Sequence, residues 1–159
     1  MKTTIIAVGK VKEKYLLQGI DEYAKRMGNY TQFDIIEVAD EPTPDHASDK
    51  VNQQIKEKEG ERILAKLPKE ALVYALAIEG KLYTSEQLAR EIKDHLTYGT
   101  SHIVFIIGGS LGLSPAVLQQ ADKKLSFGRL TLPHQLMRLV LTEQIYRTCR
   151  INAGHAYHK

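Results

Sequence analysis

The sequence predicts an α/β protein: a mostly parallel sheet with helices on both faces, in a single domain over residues 1–159. Three observations carry that reading. Strand-like runs alternate with helical periodicity from one end of the chain to the other. The strand runs are continuous apolar stretches without polar alternation, as strands buried on both faces require. No repeat, low-complexity stretch or linker divides the 159 residues, a length that suits one compact core.

The elements follow in order. Residues 3–8 form a short β-branched run closed by Gly9 and read as a buried strand. A helix is expected from Lys12 to Met27, with Tyr15, Leu16, Ile20, Tyr23 and Ala24 at helical spacing and Gly28 as its C-terminal cap. Residues 33–38 give a second strand, and the proline-rich, acidic stretch 40–45 is a loop. Ser48 is placed to cap a charged helix running to about Leu67. Residues 72–78 are strand-like. Thr84 and Gln87 have the spacing of a capping box, which opens a helix ending at Tyr98-Gly99. Residues 102–107, the most hydrophobic run, lead directly into Gly108-Gly109-Ser110-Leu111-Gly112. Ser114-Pro115 opens a short helix to Ala121, residues 124–127 make a brief strand, and Pro133 begins the longest helix, stopped by Gly154.

Composition narrows the function classes. The chain is 43% hydrophobic and 26% charged, which describes a folded globular protein. A single cysteine, Cys149, excludes an intrachain disulfide and a multi-cysteine metal site; its place in a helical pattern reads as a small packed side chain. No metal-ligand spacing is visible. The apolar run after Met1 is too short for a signal peptide, and no stretch approaches the ~20 residues of a membrane-spanning helix. A soluble, cytoplasmic protein is expected. The net charge is +3, yet residues 123–159 hold seven Lys or Arg against the single acid Glu143. That asymmetry predicts a face for a polyanion.

Ligands of open parallel sheets bind beyond the carboxyl ends of the strands. Three segments are expected there: residues 76–81, 107–110 and 127–133, each bearing a glycine that lets backbone approach a ligand. The Gly108–Gly112 run lacks both the dinucleotide fingerprint and the phosphate-loop ending. On the last helix His134 and Arg138 share a face, as do Glu143 and Arg147, the latter pair suited to a helix-stabilising or subunit-contact ion pair. The tail, with His155, Tyr157, His158 and Lys159, is suited to stacking on a nucleobase and contacting phosphate.

Residues 131–138 (Thr-Leu-Pro-His-Gln-Leu-Met-Arg), then Glu143-Gln144-Ile145-Tyr146-Arg147, then Tyr157-His158-Lys159, resemble the RlmH family. These are minimal SPOUT-class methyltransferases acting on large-subunit ribosomal RNA. Ala7-Val8-Gly9-Lys10, Gly80-Lys81 and Ile107-Gly108-Gly109 match in the same order, so the resemblance covers essentially the whole chain. It implies a C-terminal trefoil knot, an exception to the rule against threaded connections. It also implies a homodimer, S-adenosylmethionine as cofactor, and methylation of N3 of a pseudouridine in 23S rRNA.

By the same resemblance the cofactor lies against Leu76, Gly108 and the loop of Phe127, Gly128, Arg129, Leu130, Thr131 and Leu132. His158 is the candidate base, with Tyr157 and Arg138 positioning the acceptor and stabilising charge. Tail residues are expected to complete the partner subunit's site. Two positions depart from the family pattern. Ala77 stands where an acid often follows the leucine, and the usual Pro-Tyr-His-Arg ending is Ala156-Tyr157-His158-Lys159. From the residues alone, a non-catalytic RNA-binding module, a nucleotide-dependent oxidoreductase on a doubly wound sheet, and a protein that merely dimerises through its last helix remain as alternatives.

Overall fold

A computed structural model describes all residues, 1–159. Its five strands are β1 (Lys2–Val8), β2 (Gln32–Val38), β3 (Leu72–Leu82), β4 (His102–Ile107) and β5 (Lys123–Ser126). They form one sheet in the order β2-β1-β4-β3-β5, and every pairing is parallel. Five helices connect and cover them: α1 (Lys14–Met27), α2 (Asp49–Lys66), α3 (Ser85–Thr97), α4 (Pro115–Gln120) and α5 (His134–Asn152).

The continuous apolar strands split by parity into two cores, because successive side chains point to opposite faces. Ile5, Tyr74 and Phe105 face one side, where they meet Met27 of α1, Leu88 and Ile92 of α3, and Leu141 and Ile145 of α5. Ile6, Val8, Val104 and Ile106 face the other, against Ile63 of α2 and Val117 of α4. Both faces are therefore covered, as the sequence predicts, and α5 lies between α1 and α3 on the first of them.

Local chemistry sets the helix starts. The Thr84 hydroxyl accepts from the Gln87 amide at 3.0 Å, and the Gln87 side chain accepts from the Thr84 amide at 2.9 Å. This reciprocal cap stabilises α3 by about 1 kcal/mol. Ser48 and Ser114 cap α2 and α4 in the simpler one-sided way.

Gly28 caps α1 as expected, with right-handed backbone (φ −56°), and the chain leaves the helix through a turn in which the Tyr30 and Thr31 amides donate to the Met27 carbonyl. Two local features differ from expectation. The pyrrolidine of Pro133 stands just before α5, which begins at His134. β3 continues to Leu82, where an end near Ile78 was expected: Leu76 and Lys81 both pair with Leu125, and the four residues between them bulge out of the ladder. That bulge matters for the site.

Candidate cofactor pocket and C-terminal tail

The carboxyl ends of β3, β4 and β5 open into one cavity of about 850 Å³, within the usual range for small-molecule sites. Its walls are the β3 bulge (residues 76–79), the β4–α4 turn (residues 109–113) and the segment after β5 running into α5. Leucines dominate, joined by Ile78, Phe127 and Met137, and Lys56, Glu79 and His134 bring ionisable groups to the rim. Burial lowers the pKa of His134, and the nearby Arg138 cation lowers it further, so its imidazole is neutral at neutral pH.

Ser126 fixes two of the walls together. Its hydroxyl donates to the Ile78 carbonyl at 2.8 Å and accepts from the Gly128 amide at 3.1 Å. Gly128 has φ +120°, a conformation that a side chain resists. Beyond it, the amides and carbonyls of residues 129–132 make no hydrogen bond within the chain. An apolar cavity edged by unpaired backbone groups suits a flat heteroaromatic ring whose edge carries donors and acceptors.

The sequence-derived cofactor residues are distributed as follows. Leu76, Phe127, Gly128, Leu130, Thr131 and Leu132 all line the cavity. Gly108 is buried beneath its wall: a Cβ there would lie 2.8 Å from the Gly112 backbone carbon, so the residue lets the turn fold back on itself. Arg129 is exposed beside the cavity and does not line it.

The three residues expected to handle the acceptor are not brought together at this cavity. Arg138 is 3% exposed. Its Nη1 meets Glu37 Oε2 at 2.5 Å and its Nη2 donates to the Gly9 carbonyl at 3.0 Å, which ties α5 to the ends of β2 and β1. Within the chain this guanidinium is bound by Glu37 and Gly9.

Tyr157 and His158 sit at the opposite end of α5. At 1.5 Å per residue, about 20 Å of helix separates His134, at the cavity, from Arg147, against the tail. Tyr157 packs edge-on against Tyr146, lies beneath the Arg147 guanidinium, and donates to Glu143 Oε1 at 3.0 Å. Burial and that carboxylate push its phenol up to about 12, so it remains a donor at neutral pH. His158 Nδ1 lies 3.1 Å from Arg147 Nη1, and Nε2 lies 2.5 Å from Glu86 Oε1. Glu143 and Arg147 do form the expected ion pair, at 2.6 Å.

The basic C-terminal segment is also less free than its composition implies. Arg138 and Arg147 are paired with acids, and Arg150 donates to the Tyr30 hydroxyl and the Ala156 carbonyl. Lys123, Lys124, Arg129 and Lys159 are its remaining cations. Cys149 is buried, and burial pushes its thiol up to about 11, consistent with a packing role. No helix is long and apolar enough to cross a membrane.

A parallel sheet covered on both faces, with a leucine-walled cavity made of backbone turns at its strand ends, defines an α/β protein with a small-molecule-sized cavity at the carboxyl edge of its sheet. Comparison with known proteins gives that class a name. The family model described as "Predicted SPOUT methyltransferase" matches residues 1–158. The chain is 62% identical to the ribosomal RNA large subunit methyltransferase H of Bifidobacterium adolescentis, over 159 residues that cover both chains completely. Proteins of the same description from Ligilactobacillus salivarius and Bacillus pumilus are 62% and 60% identical, again over the full length of each. The chain belongs to the SPOUT methyltransferase family, and membership brings that family's knotted C-terminal fold.

Proposed function

We propose that this chain is an S-adenosylmethionine-dependent methyltransferase of 23S ribosomal RNA, modifying N3 of a pseudouridine and acting as a homodimer in the cytoplasm. The observation that carries the reading is the coincidence of the cavity with the three strand-end segments, together with full-length identity of about 60% to relatives described as ribosomal RNA large subunit methyltransferase H. The residues present fit the cofactor. The leucine walls suit the faces of an adenine ring, the unpaired backbone of residues 129–132 suits its polar edge, and Glu79 supplies a carboxylate where Ala77 supplies none. When bound, S-adenosylmethionine supplies a sulfonium methyl group to an attacking nitrogen.

The chain's own residues account for the rest. The cavity orients one reactant, and holding two reactants in line removes much of the barrier. A pseudouridine N3–H is a weak acid, so its anion needs nearby donors or cations and a proton acceptor. Tyr157 and Arg147 are donors, and His158 is the base. Because the tail lies about 20 Å along α5 from its own cavity, the two halves of the chemistry meet in a dimer, each tail serving the partner's cavity. The exposed apolar side chains of the cavity's loop wall, Leu130 (85% exposed) and Leu132, are the surface such a partner would cover.

The test is methyl transfer. Purified protein is incubated with methyl-labelled S-adenosylmethionine and ribosomes lacking this modification, and the label is mapped. Label at N3 of one 23S pseudouridine supports the proposal. Cofactor binding without transfer would leave a binding module, and absence of cofactor binding would overturn the reading entirely.

A further inference from the structure

The two nitrogens of His158 are held by groups of opposite character. Arg147 Nη1, 3.1 Å from Nδ1, can only donate, so Nδ1 must present its lone pair. The proton of the neutral ring therefore sits on Nε2, where Glu86 Oε1 accepts it at 2.5 Å. Glu86 belongs to the first turn of α3 and Arg147 to α5, so the tail's imidazole bridges two helices that also meet through the core and through the Ser85–Gln144 and Asn152–Ala89 hydrogen bonds. Arg147 is itself fixed by Glu143, through Nε at 3.0 Å and Nη2 at 2.6 Å. The groups facing His158 are thus Glu86 from α3, Arg147 from α5 with Glu143 behind it, and Tyr157 next in the chain.

This arrangement has a chemical consequence. A histidine docked in this way has no free lone pair, because Arg147 occupies the only one. It also has a defined basic atom, because Glu86 has committed Nε2 to the proton. Protonation at Nδ1 would set an N–H against the Arg147 N–H groups, and so requires the guanidinium to move aside.

We infer that Glu86 is a positioning residue for methyl transfer: it holds Nε2 of His158, makes Nδ1 the proton acceptor, and leaves Arg147 as a placeholder that the RNA displaces. Resting on the functional reading above, the inference specifies how the tail works. The arriving nucleotide draws the Arg147 guanidinium onto phosphate or a base oxygen, which uncovers Nδ1. As the N3–CH₃ bond forms and the methyl–sulfur bond breaks, with its electron pair going to sulfur, the N3 proton passes to Nδ1. The imidazolium so formed lies against the Glu86 carboxylate, which stabilises it, and then returns its proton to solvent. The carboxylate–imidazole contact already depresses the Glu86 pKa.

The experiment compares the wild-type homodimer with Glu86→Gln, in which the amide oxygen still accepts from Nε2 but the charge is gone. Nitrogen-15 NMR of the imidazole reads the tautomer and titration midpoint of His158, and single-turnover methyl transfer to unmodified ribosomes is followed against pH. The expected midpoint falls by about half a pH unit, a threefold change in proton affinity, as befits a pair this exposed. Methyl transfer above the midpoint falls by up to that factor, because the neutral ring is then a weaker base, the acidic limb of the profile moves down in pH with the midpoint, and Glu86→Asp, which keeps the charge, recovers part of both. An unchanged midpoint, or a wild-type ring with its proton on Nδ1, overturns the assignment. So does a shifted midpoint with an unaltered pH profile of transfer. A wild-type enzyme that labels no 23S RNA overturns the functional reading itself, whereas wild-type transfer matched by the variant at every pH removes Glu86 alone.

Discussion

Replacing Arg138 with methionine separates a structural from a catalytic role for the one buried arginine of α5. Methionine fills the volume of the arginine stem but supplies no donor. The Gly9 carbonyl, at the buried end of β1, then loses its 3.0 Å bond, at a cost of about 1–3 kcal/mol. Glu37 loses its partner too, but that carboxylate is 40% exposed and returns to water, so this half contributes at most about 1 kcal/mol. Against these stands a gain of about 1 kcal/mol, because the wild-type Arg138 Nε is buried without a partner. The balance is a loss of about 2 kcal/mol, which for a chain of this size lowers Tm by roughly 4–8 °C. Differential scanning calorimetry reads the Tm, and isothermal titration with S-adenosylmethionine should give an affinity within about twofold of wild type, since Arg138 does not line the cavity. An unchanged Tm accompanied by abolished methyl transfer would refute this reasoning and put Arg138 in the chemistry.

Three further outcomes are expected. Gly108→Ala drives a Cβ to 2.8 Å from the Gly112 backbone, which cannot rotate away. An overpacking penalty of about 1–3 kcal/mol on the cavity wall should weaken cofactor binding roughly tenfold or more by calorimetry. Deleting residues 156–159 should abolish methyl transfer while leaving cofactor affinity nearly intact, because the tail lies away from its own chain's cavity; full activity in the truncation would remove the tail from the mechanism. Glu59→Gln should stabilise the protein near pH 7. Glu59 is 4% exposed and accepts one bond, from the Glu41 amide at 2.9 Å; burial holds its pKa above the ordinary carboxylate value. Its ionisation therefore costs the folded state more than the unfolded one. The advantage of the variant should be full at neutral pH and vanish as pH falls below the unfolded carboxylate pKa of about 4.3, as read by melts across that range.

Much of the fold was legible because single-sequence signals happened to agree. Apolar runs such as residues 102–107 are buried on both faces, and the Thr84–Gln87 box and Ser114-Pro115 pair form the caps their spacing predicts. Helix ends were less certain where glycine alone was the signal. Gly99 and Gly154 do take left-handed backbone, but Gly28 does not, since glycine permits that conformation without compelling it. The strand order was not legible, nor was the β3 bulge, because both depend on which strand lies next to β5.

The site divides in the same way. Strand-end position identified the cavity-lining turns, as it depends only on where apolar runs stop. Side-chain roles did not follow from position on a helix. Arg138 shares a face with His134, yet its guanidinium is consumed by Glu37 and Gly9, partners more than a hundred residues away in sequence. Lys56 at the cavity rim, Ser126 between its walls and Glu86 against the tail carried no local signal at all. A wall residue of this kind is found only once the sheet has brought distant segments together.

The central claim, that backbone turns at adjoining strand ends hold the methyl donor while a partner's tail completes the site, is tested most directly by a crystal structure of the protein with S-adenosylmethionine. The expected density places the donor among residues 76–79, 109–113 and 127–132, with Tyr157 and His158 of a second subunit facing its methyl group. Donor bound elsewhere, or a cavity closed against it with each tail remote from both sites, would contradict the account.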